Sequence, residues 1–253
     1  DSEIARLRDC EIARLTEGGN MEKKIHFAFE CLRDVPMIVV AGCGGTGSRL
    51  VTYLAELHYG LRCLGHSGFR VCVYDPDTVS DNNIGRQKFY PCDIGLNKAE
   101  VLINRINACY GLYWKGKAEQ YDSQHEDILI GCVDSRRSRA SLINGLHGGY
   151  YLDCGNAGDY GQVLIGNGKD MPYPHELYPE LFDPALDSPD DGPSCSMAEA
   201  LARQKLFVNA HAALYAAEIL RCLFMDGQID YQGVFFNRKE VRRGEIARVG
   251  ASG

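Results

Sequence analysis

Residues 38–48 read Ile-Val-Val-Ala-Gly-Cys-Gly-Gly-Thr-Gly-Ser, an apolar β-branched run that breaks into glycines and restarts as a helix at Arg49. A strand, a glycine turn and a returning helix form the opening unit of a parallel α/β sheet. Gly42, Gly44, Gly45 and Gly47 permit backbone angles closed to other residues and let the main chain approach an anion closely. The N–H groups that open the next helix then face that anion. By itself the turn does not choose a ligand, because many dinucleotide-binding proteins share it. It lacks the Gly-Lys-Ser/Thr ending of a Walker A loop, and no Gly-x-Ser-x-Gly elbow occurs elsewhere.

From Val35 onward strands and helices alternate. The apolar patterns predict strands at Met37–Ala41, Phe69–Tyr74, Trp114–Ala118, Asp127–Cys132, Tyr150–Cys154 and Gln162–Gly166, and helices at Ser48–Leu57, Lys98–Cys109 and Ser135–Leu146. This order implies an α/β fold: a Rossmann-like, doubly wound, mostly parallel sheet with right-handed crossovers. An additional C-terminal extension follows, a long helical pattern to Phe224 with room for one break, then a closing strand or hairpin arm at Ile229–Asn237. Ligands of such sheets bind beyond the carboxyl ends of the strands. The glycine turn, Asp75 and Asp134 all fall at such ends, which is the first sign of one shared site.

The domain reading divides the chain into four parts. Residues 1–20 carry an echo, Glu3-Ile-Ala-Arg-Leu7 and Glu11-Ile-Ala-Arg-Leu15, and read as a helical extension or an added leader with the native start at Met21. Residues 21–166 form the core, 167–196 a mobile crossover loop, and 197–253 the C-terminal helix and closing strand of the same domain. The loop holds six prolines, is acidic toward Ser194, and ends at a capping box of Ser196 and Glu199.

With 253 residues, one large domain can bury a sizeable core. The net charge of −7, with no basic stripe, argues against a nucleic-acid partner. No apolar stretch reaches the ~20 residues of a membrane span. Eleven cysteines are dispersed with no Cys-x-x-Cys pair, so a structural zinc site is not expected. Cys43, Cys72, Cys132 and Cys154 lie in apolar strand contexts as small hydrophobes, consistent with a reduced cytoplasmic protein. The seven histidines show no metal spacing.

Asp75-Pro-Asp-Thr-Val-Ser-Asp-Asn-Asn83-Ile-Gly-Arg86-Gln87, Gly95-Leu-Asn-Lys98 and Cys132-Val-Asp134-Ser-Arg136 together resemble the ThiF/MoeB/ubiquitin-activating (HesA) superfamily. The blocks Pro193-Ser-Cys-Ser-Met-Ala-Glu-Ala-Leu201 and Tyr231-Gln-Gly-Val-Phe-Phe-Asn237 are similar to those of the ThiF-family protein of the plasmid-borne PRTRC cassette. The resemblance runs from Val35 to Asn237. It implies an ATP-dependent adenylyltransferase that activates the C-terminal glycine carboxylate of a ubiquitin-like or sulfur-carrier protein. ATP and Mg²⁺ are the implied cofactors, and a conjugating-enzyme partner and a homodimer the implied associations.

Residue by residue, the resemblance implies Asp75 as an acceptor for ribose hydroxyls, and Asn83 and Gln87 as supporting polar contacts to the nucleotide. Arg86 would offer a planar fork to phosphate oxygens and Lys98 a point charge. Asp134 would hold Mg²⁺, which typically takes one or two carboxylates plus phosphates. Cys195 would receive the acyl group as a thioester, its thiolate favoured by a helix start. The superfamily's arginine from across a dimer has no clear counterpart; Arg6, Arg8 and Arg14 are the candidates.

Read singly, each residue has a plainer role. Asp75 could be turn chemistry, Arg86 and Lys98 solvated surface charges, and Asp134 a cap for the following helix. Cys195 could be an unreactive helix-start cysteine. Arg136 and Arg139 could line the site or pair with acids. Rival functions are a Rossmann oxidoreductase, adenylation of a small-molecule or peptide carboxylate, sulfur-carrier activation without a thioester, and a nucleotide-binding scaffold without chemistry. The oxidoreductase would want an acid about 20 residues beyond the glycines, and it leaves Arg86 and Lys98 unexplained.

Overall fold

The computed structural model describes residues 25–123, 125–158, 160–187, 207–237, 241–244 and 246. The echo in residues 1–20, the Ser196–Glu199 capping box and Cys195 lie outside the described residues.

The strands are β1 (His26–Phe27), β2 (Met37–Ala41), β3 (Arg70–Tyr74), β4 (Lys115–Lys117), β5 (Ile128–Gly131), β6 (Tyr150–Ala157), β7 (Tyr160–Gly166), β8 (Gln228–Ile229), β9 (Gly233–Asn237) and β10 (Val241–Gly244). The helices are α1 (Gly47–Cys63), α2 (Lys98–Tyr110), α3 (Arg136–Asn144), the single turn α4 (Pro174–Leu177) and α5 (Val208–Arg221). Among the described residues, eight strands form one sheet in the order β10-β9-β7-β6-β5-β2-β3-β4, and β1 pairs with β8 apart from it. Strands β4, β3, β2, β5 and β6 are parallel. Strands β7, β9 and β10 continue the sheet antiparallel. The expected mostly parallel, doubly wound sheet with a β extension is the observed one.

The central strands are apolar at every position because both faces are covered. In β2, Ile38 and Val40 face a core shared with Leu50 and Leu54 of α1, Leu102 and Ile106 of α2, and Ala212 and Ala216 of α5. Val39 and Ala41 face the opposite core with Leu142 of α3, Tyr151 and Phe182. Cys43, Cys72, Cys132 and Cys154 are buried free thiols, as their strand contexts suggest.

Several boundaries differ from the sequence pattern. Helix α1 runs beyond Leu57 to Cys63, because Leu61 is buried and the stop comes only where the Leu64 amide bonds back to Gly60 and Gly65 takes a φ of 86°. The long C-terminal helix is α-helical to Arg221 and then widens into a π turn over Cys222–Asp226, where Arg221 bonds both Glu218 and Asp226. Ile229–Asn237 holds two strands rather than one, the second paired antiparallel with β10 as a hairpin arm would be. β8 pairs with β1 and β9 with β7, and between them the Gln232 side chain turns away to donate to the Pro172 carbonyl.

At the amino-terminal end of β6, remote from the glycine turn, strand β1 is held by a polar chain. His26 Nδ1 meets Asp170 at 2.5 Å, and His26 Nε2 meets the Tyr150 hydroxyl at 2.7 Å. That hydroxyl also accepts from the Phe29 amide. Tyr150→Phe strips partners from two buried groups and should cost about 1–3 kcal/mol. Denaturant unfolding should show a lower midpoint at unchanged slope, with nucleotide binding intact.

Candidate active site

The sheet's order reverses between β2 and β5, since β3 and β4 continue to one side and β6 to the other. A crevice opens beyond the carboxyl ends of the strands at such a point. Here it is narrow. Gly42 has a φ of 95°, and a Cβ on it would lie 2.5 Å from the Cys132 carbonyl oxygen after β5. A Cβ on Gly47 would lie 2.0 Å from the Gly42 carbonyl oxygen. Gly45 lies under the side chain of Asn209 on α5, which would sit 2.2 Å from a Cβ. Gly44 alone is open: its nearest neighbour would be the Gln87 amide nitrogen at 4.0 Å. Three of the four glycines are therefore required by the fold itself, and Gly44 leaves a bare backbone facing the crevice. Thr46 supports the turn from below, donating to Asn209 Oδ1 and accepting from Asn156 Nδ2.

Asp75, at the end of β3, is buried and already used twice. Its Oδ2 accepts from the Cys43 amide at 2.6 Å and its Oδ1 from the Asp77 amide at 2.9 Å. Burial pushes its carboxyl up, and the two amides and Lys98 pull it back. The turn chemistry allowed for Asp75 is thus real, and it also ties the glycine turn to the 75–77 corner. Asn97 caps α2 through Glu100 while its amide donates to the Asp75 and Asp77 carbonyls. That cap places Lys98 at the first position of α2, where its buried side chain reaches Asp77 at 2.8 Å. Lys98 is not a solvated surface charge.

Asn83 closes a short 3-10 turn, its Oδ1 accepting from the Ser80 amide. Its carbonyl accepts from the Arg86 and Gln87 amides, so it shapes the segment that carries them. Gln87 faces the glycine turn, and its Oε1 is buried with no hydrogen-bond partner among the described residues. Turning the amide over would bury an unpartnered NH₂ instead.

Asp134 follows β5. It does not cap the next helix; Ser135 does, accepting from the Ser138 amide. Asp134 is an exposed residue, and its carboxylate makes no hydrogen bond among the described residues. The surrounding protein pushes its carboxyl up, Arg139, Lys98 and Arg86 pull it down in that order, and Asp77 adds to the rise. The structure thus brings the cations of three separate segments within electrostatic reach of one exposed carboxylate. Asp75 joins them through the Cys43 amide, and Cys195 lies outside the described residues.

The two ambiguous arginines separate. Arg136 faces away and holds residues 180–187: its guanidinium donates to the Glu180 and Leu186 carbonyls, while Asp187 accepts from the Arg136 and Arg137 amides. Arg139 turns inward, 3.6 Å from the fully buried Asp153 of β6. Burial pushes the Asp153 carboxyl up despite Arg139 and the Tyr151 hydroxyl. The Asp77, Asn97 and Asp153 contributions were not anticipated from sequence. Asp77 and Asn97 flank recognised motifs and could have been found there; no local signal marks Asp153.

A glycine turn at a topological switch point, with cations and a carboxylate grouped beyond it, defines a nucleotide-binding protein of the Rossmann-like α/β class. The chain belongs to the ThiF family, whose model matches residues 26–249. Among solved structures it is similar to Escherichia coli MccB bound to AMPCPP and selenomethionine MccA, with 17% identity and a TM-score of 0.62 over 88% of this chain and 67% of that one. It is also similar to MccB with ATP (18% identity, TM-score 0.60, 87% and 66% covered). PaaA is a third (15% identity, TM-score 0.63, 86% and 66%). The chain spans about two thirds of the length of these neighbours. No curated protein sequence matches it. No helix among the described residues is long and apolar enough to cross a membrane.

The glycines can be told apart by substitution. Gly47→Ala should destabilise the chain by about 1–3 kcal/mol or more, because backbone must move. Gly44→Ala should change stability by less than about 0.5 kcal/mol yet weaken binding of ATP by obstructing its approach. Thermal unfolding and calorimetric titration with ATP read the two effects separately.

Proposed function

We propose that this protein activates a carboxylate by adenylation with ATP, and that the carboxylate is the C terminus of a polypeptide. The observation that carries the reading is the gathering of Lys98, Arg86 and Arg139 about Asp134 beyond an open Gly44 backbone. In the reaction, a carboxylate oxygen bonds to the α-phosphorus of ATP and the bond to the β-phosphate bridge breaks, releasing pyrophosphate. Negative charge spreads over the reacting phosphates, so catalysis is positioning and electrostatics rather than proton transfer.

Each residue has a part in that scheme. The turn's amides and the start of α1 receive phosphate. Gly44 lets the triphosphate lie against bare backbone. Arg86 and Lys98 complement its charge, with Lys98 held at the crevice by Asp77. The unpartnered Gln87 oxygen suits a donor such as a ribose hydroxyl, and Asp75 retains acceptor capacity for the same group. Asp134, lacking a hydrogen-bond partner, is suited to hold Mg²⁺, which would neutralise part of the triphosphate charge when bound. Its lone exposed carboxylate fits a cation that takes most of its ligands from phosphates and water.

MccB was solved with MccA, and a molecule that is N-formylated and contains selenomethionine is a polypeptide. This supports a polypeptide acceptor here. The proposal takes that acceptor to be a ubiquitin-like or sulfur-carrier protein ending in glycine. In a second step, the Cys195 thiolate would attack the acyl carbon, forming a thioester and releasing AMP. A conjugating-enzyme partner, a homodimer, a reduced cytoplasmic setting and PRTRC membership belong to the same proposal. So does the division at residues 20, 166 and 196.

The test incubates the full chain with ATP, Mg²⁺ and a panel of carboxylates: a glycine-terminated ubiquitin-like protein, a short peptide and small organic acids. Exchange of labelled pyrophosphate into ATP should occur with the ubiquitin-like protein, and a reductant-sensitive adduct should be lost in Cys195→Ala while exchange persists. Exchange with no member of the panel would favour the scaffold reading, and an adduct indifferent to Cys195→Ala would remove the thioester step. Asp134→Asn should slow exchange by about 100-fold or more while ATP affinity falls less than about tenfold. Equal loss in both would contradict the role given to Asp134.

A further inference from the structure

The first turn of α1 grips both sides of a single residue in a distant segment. Arg49 Nη1 donates to the Gly45 carbonyl at 2.9 Å and also to the Arg86 carbonyl. Ser48 Oγ accepts from the Lys88 amide at 3.1 Å. Gln87 lies between these anchors, with its buried, unpartnered amide oxygen beside the glycine turn. Arg49 is itself buried, and no carboxylate pairs with it among the described residues. Burying a guanidinium is costly unless its N–H groups are used. Here one nitrogen, Nη1, is directed at main-chain oxygens of two segments, and the planar guanidinium holds that nitrogen between them.

We propose that Arg49 is a positioning residue of the nucleotide site: it fixes the spacing between the glycine turn and the Arg86–Gln87 segment, and so sets where both side chains meet the nucleotide. The inference rests on the ATP-dependent reading above, but the clamp itself is a property of the ligand-free chain. A direct phosphate ligand would act on the nucleotide in its own right, whereas a positioning residue acts through the groups it places. Arg49 therefore matters only as far as Arg86 and Gln87 do.

Two measurements on the full chain decide this. In ligand-free Arg49→Met, amide exchange over residues 84–90 should rise about tenfold or more while residues 128–133 keep their protection. Unchanged exchange over 84–90 overturns the proposal, whatever the protein does with ATP. In calorimetric titration with AMPCPP, Arg49→Met should weaken binding about tenfold in the parent and less than about twofold in an Arg86→Ala, Gln87→Ala background. An equal loss in both backgrounds assigns Arg49 to the nucleotide directly and overturns the clamp. Should Arg49→Met fail to fold, Arg49→Lys carries the same two tests, since its ammonium ends a shorter, flexible stem and has no planar group to hold it where Nη1 sits between the two carbonyls. If the parent binds no AMPCPP, the adenylation reading falls and the exchange measurement alone decides the clamp.

Discussion

The close approach of the ends of β2 and β5 governs the rest of the site. Gly42 and Gly47 sit where a single Cβ would strike a main-chain oxygen, of Cys132 in one case and of Gly42 in the other. Backbone packed on backbone cannot relax the way two side chains can, so the turn has one shape. That shape aims the first turn of α1 at the same point to which β5 delivers residues 132–134. Glycine's loss of chain entropy on folding is the cost, and it is offset by the buried apolar strands on either side. The site is thus an extension of the core rather than an addition to it.

Around that fixed turn, charged groups are held in places where charge is expensive. Asp75 is buried between two amides, Lys98 is buried against Asp77, and Arg139 is buried against Asp153. Each pair, considered alone, could be a structural ion pair, and such pairs also shift titration. Their arrangement argues for more. They come from beyond the end of β3, the start of α2, α3 and the middle of β6, and Lys98 and Arg139 lie within electrostatic reach of Asp134, whose carboxylate makes no hydrogen bond among the described residues. A fold seeking stability alone gains little from buried ion pairs over apolar packing. An exposed carboxylate with Arg139, Lys98 and Arg86 in electrostatic reach is what the proposed adenylation would use.

The legible part of this architecture was local. Apolar β-branched runs, a glycine break and periodic helices are written in contiguous residues, so the sheet, the turn and the strand-end positions of Asp75 and Asp134 could be read in advance. Lys98 was legible through Gly95-Leu-Asn-Lys, whose asparagine proves to be the helix cap that sets the lysine's position. The Arg139–Asp153 pair was not, because it joins α3 to β6 and neither residue sits in a distinctive local pattern. The same holds for Thr46, Asn156 and Asn209, three ordinary polar residues that meet only after β6 and α5 pack beside α1. Arg49 was read only as the point where the helix restarts, since its target is a carbonyl and any sequence supplies one. The plain reading of Asp75 as a turn residue was also correct as far as it went: the carboxylate makes the corner and pins the glycine turn with its other oxygen.

Two contacts among the described residues lie beside the glycine turn and Asp134. Asp187 accepts from the amides that open α3, next to Asp134. Asn209 rests on Gly45 and bonds Thr46. Residues 180–187 and α5 are thus each fastened to a segment that the proposed adenylation uses, so a substitution in either contact would reach the site through its supports rather than through the nucleotide.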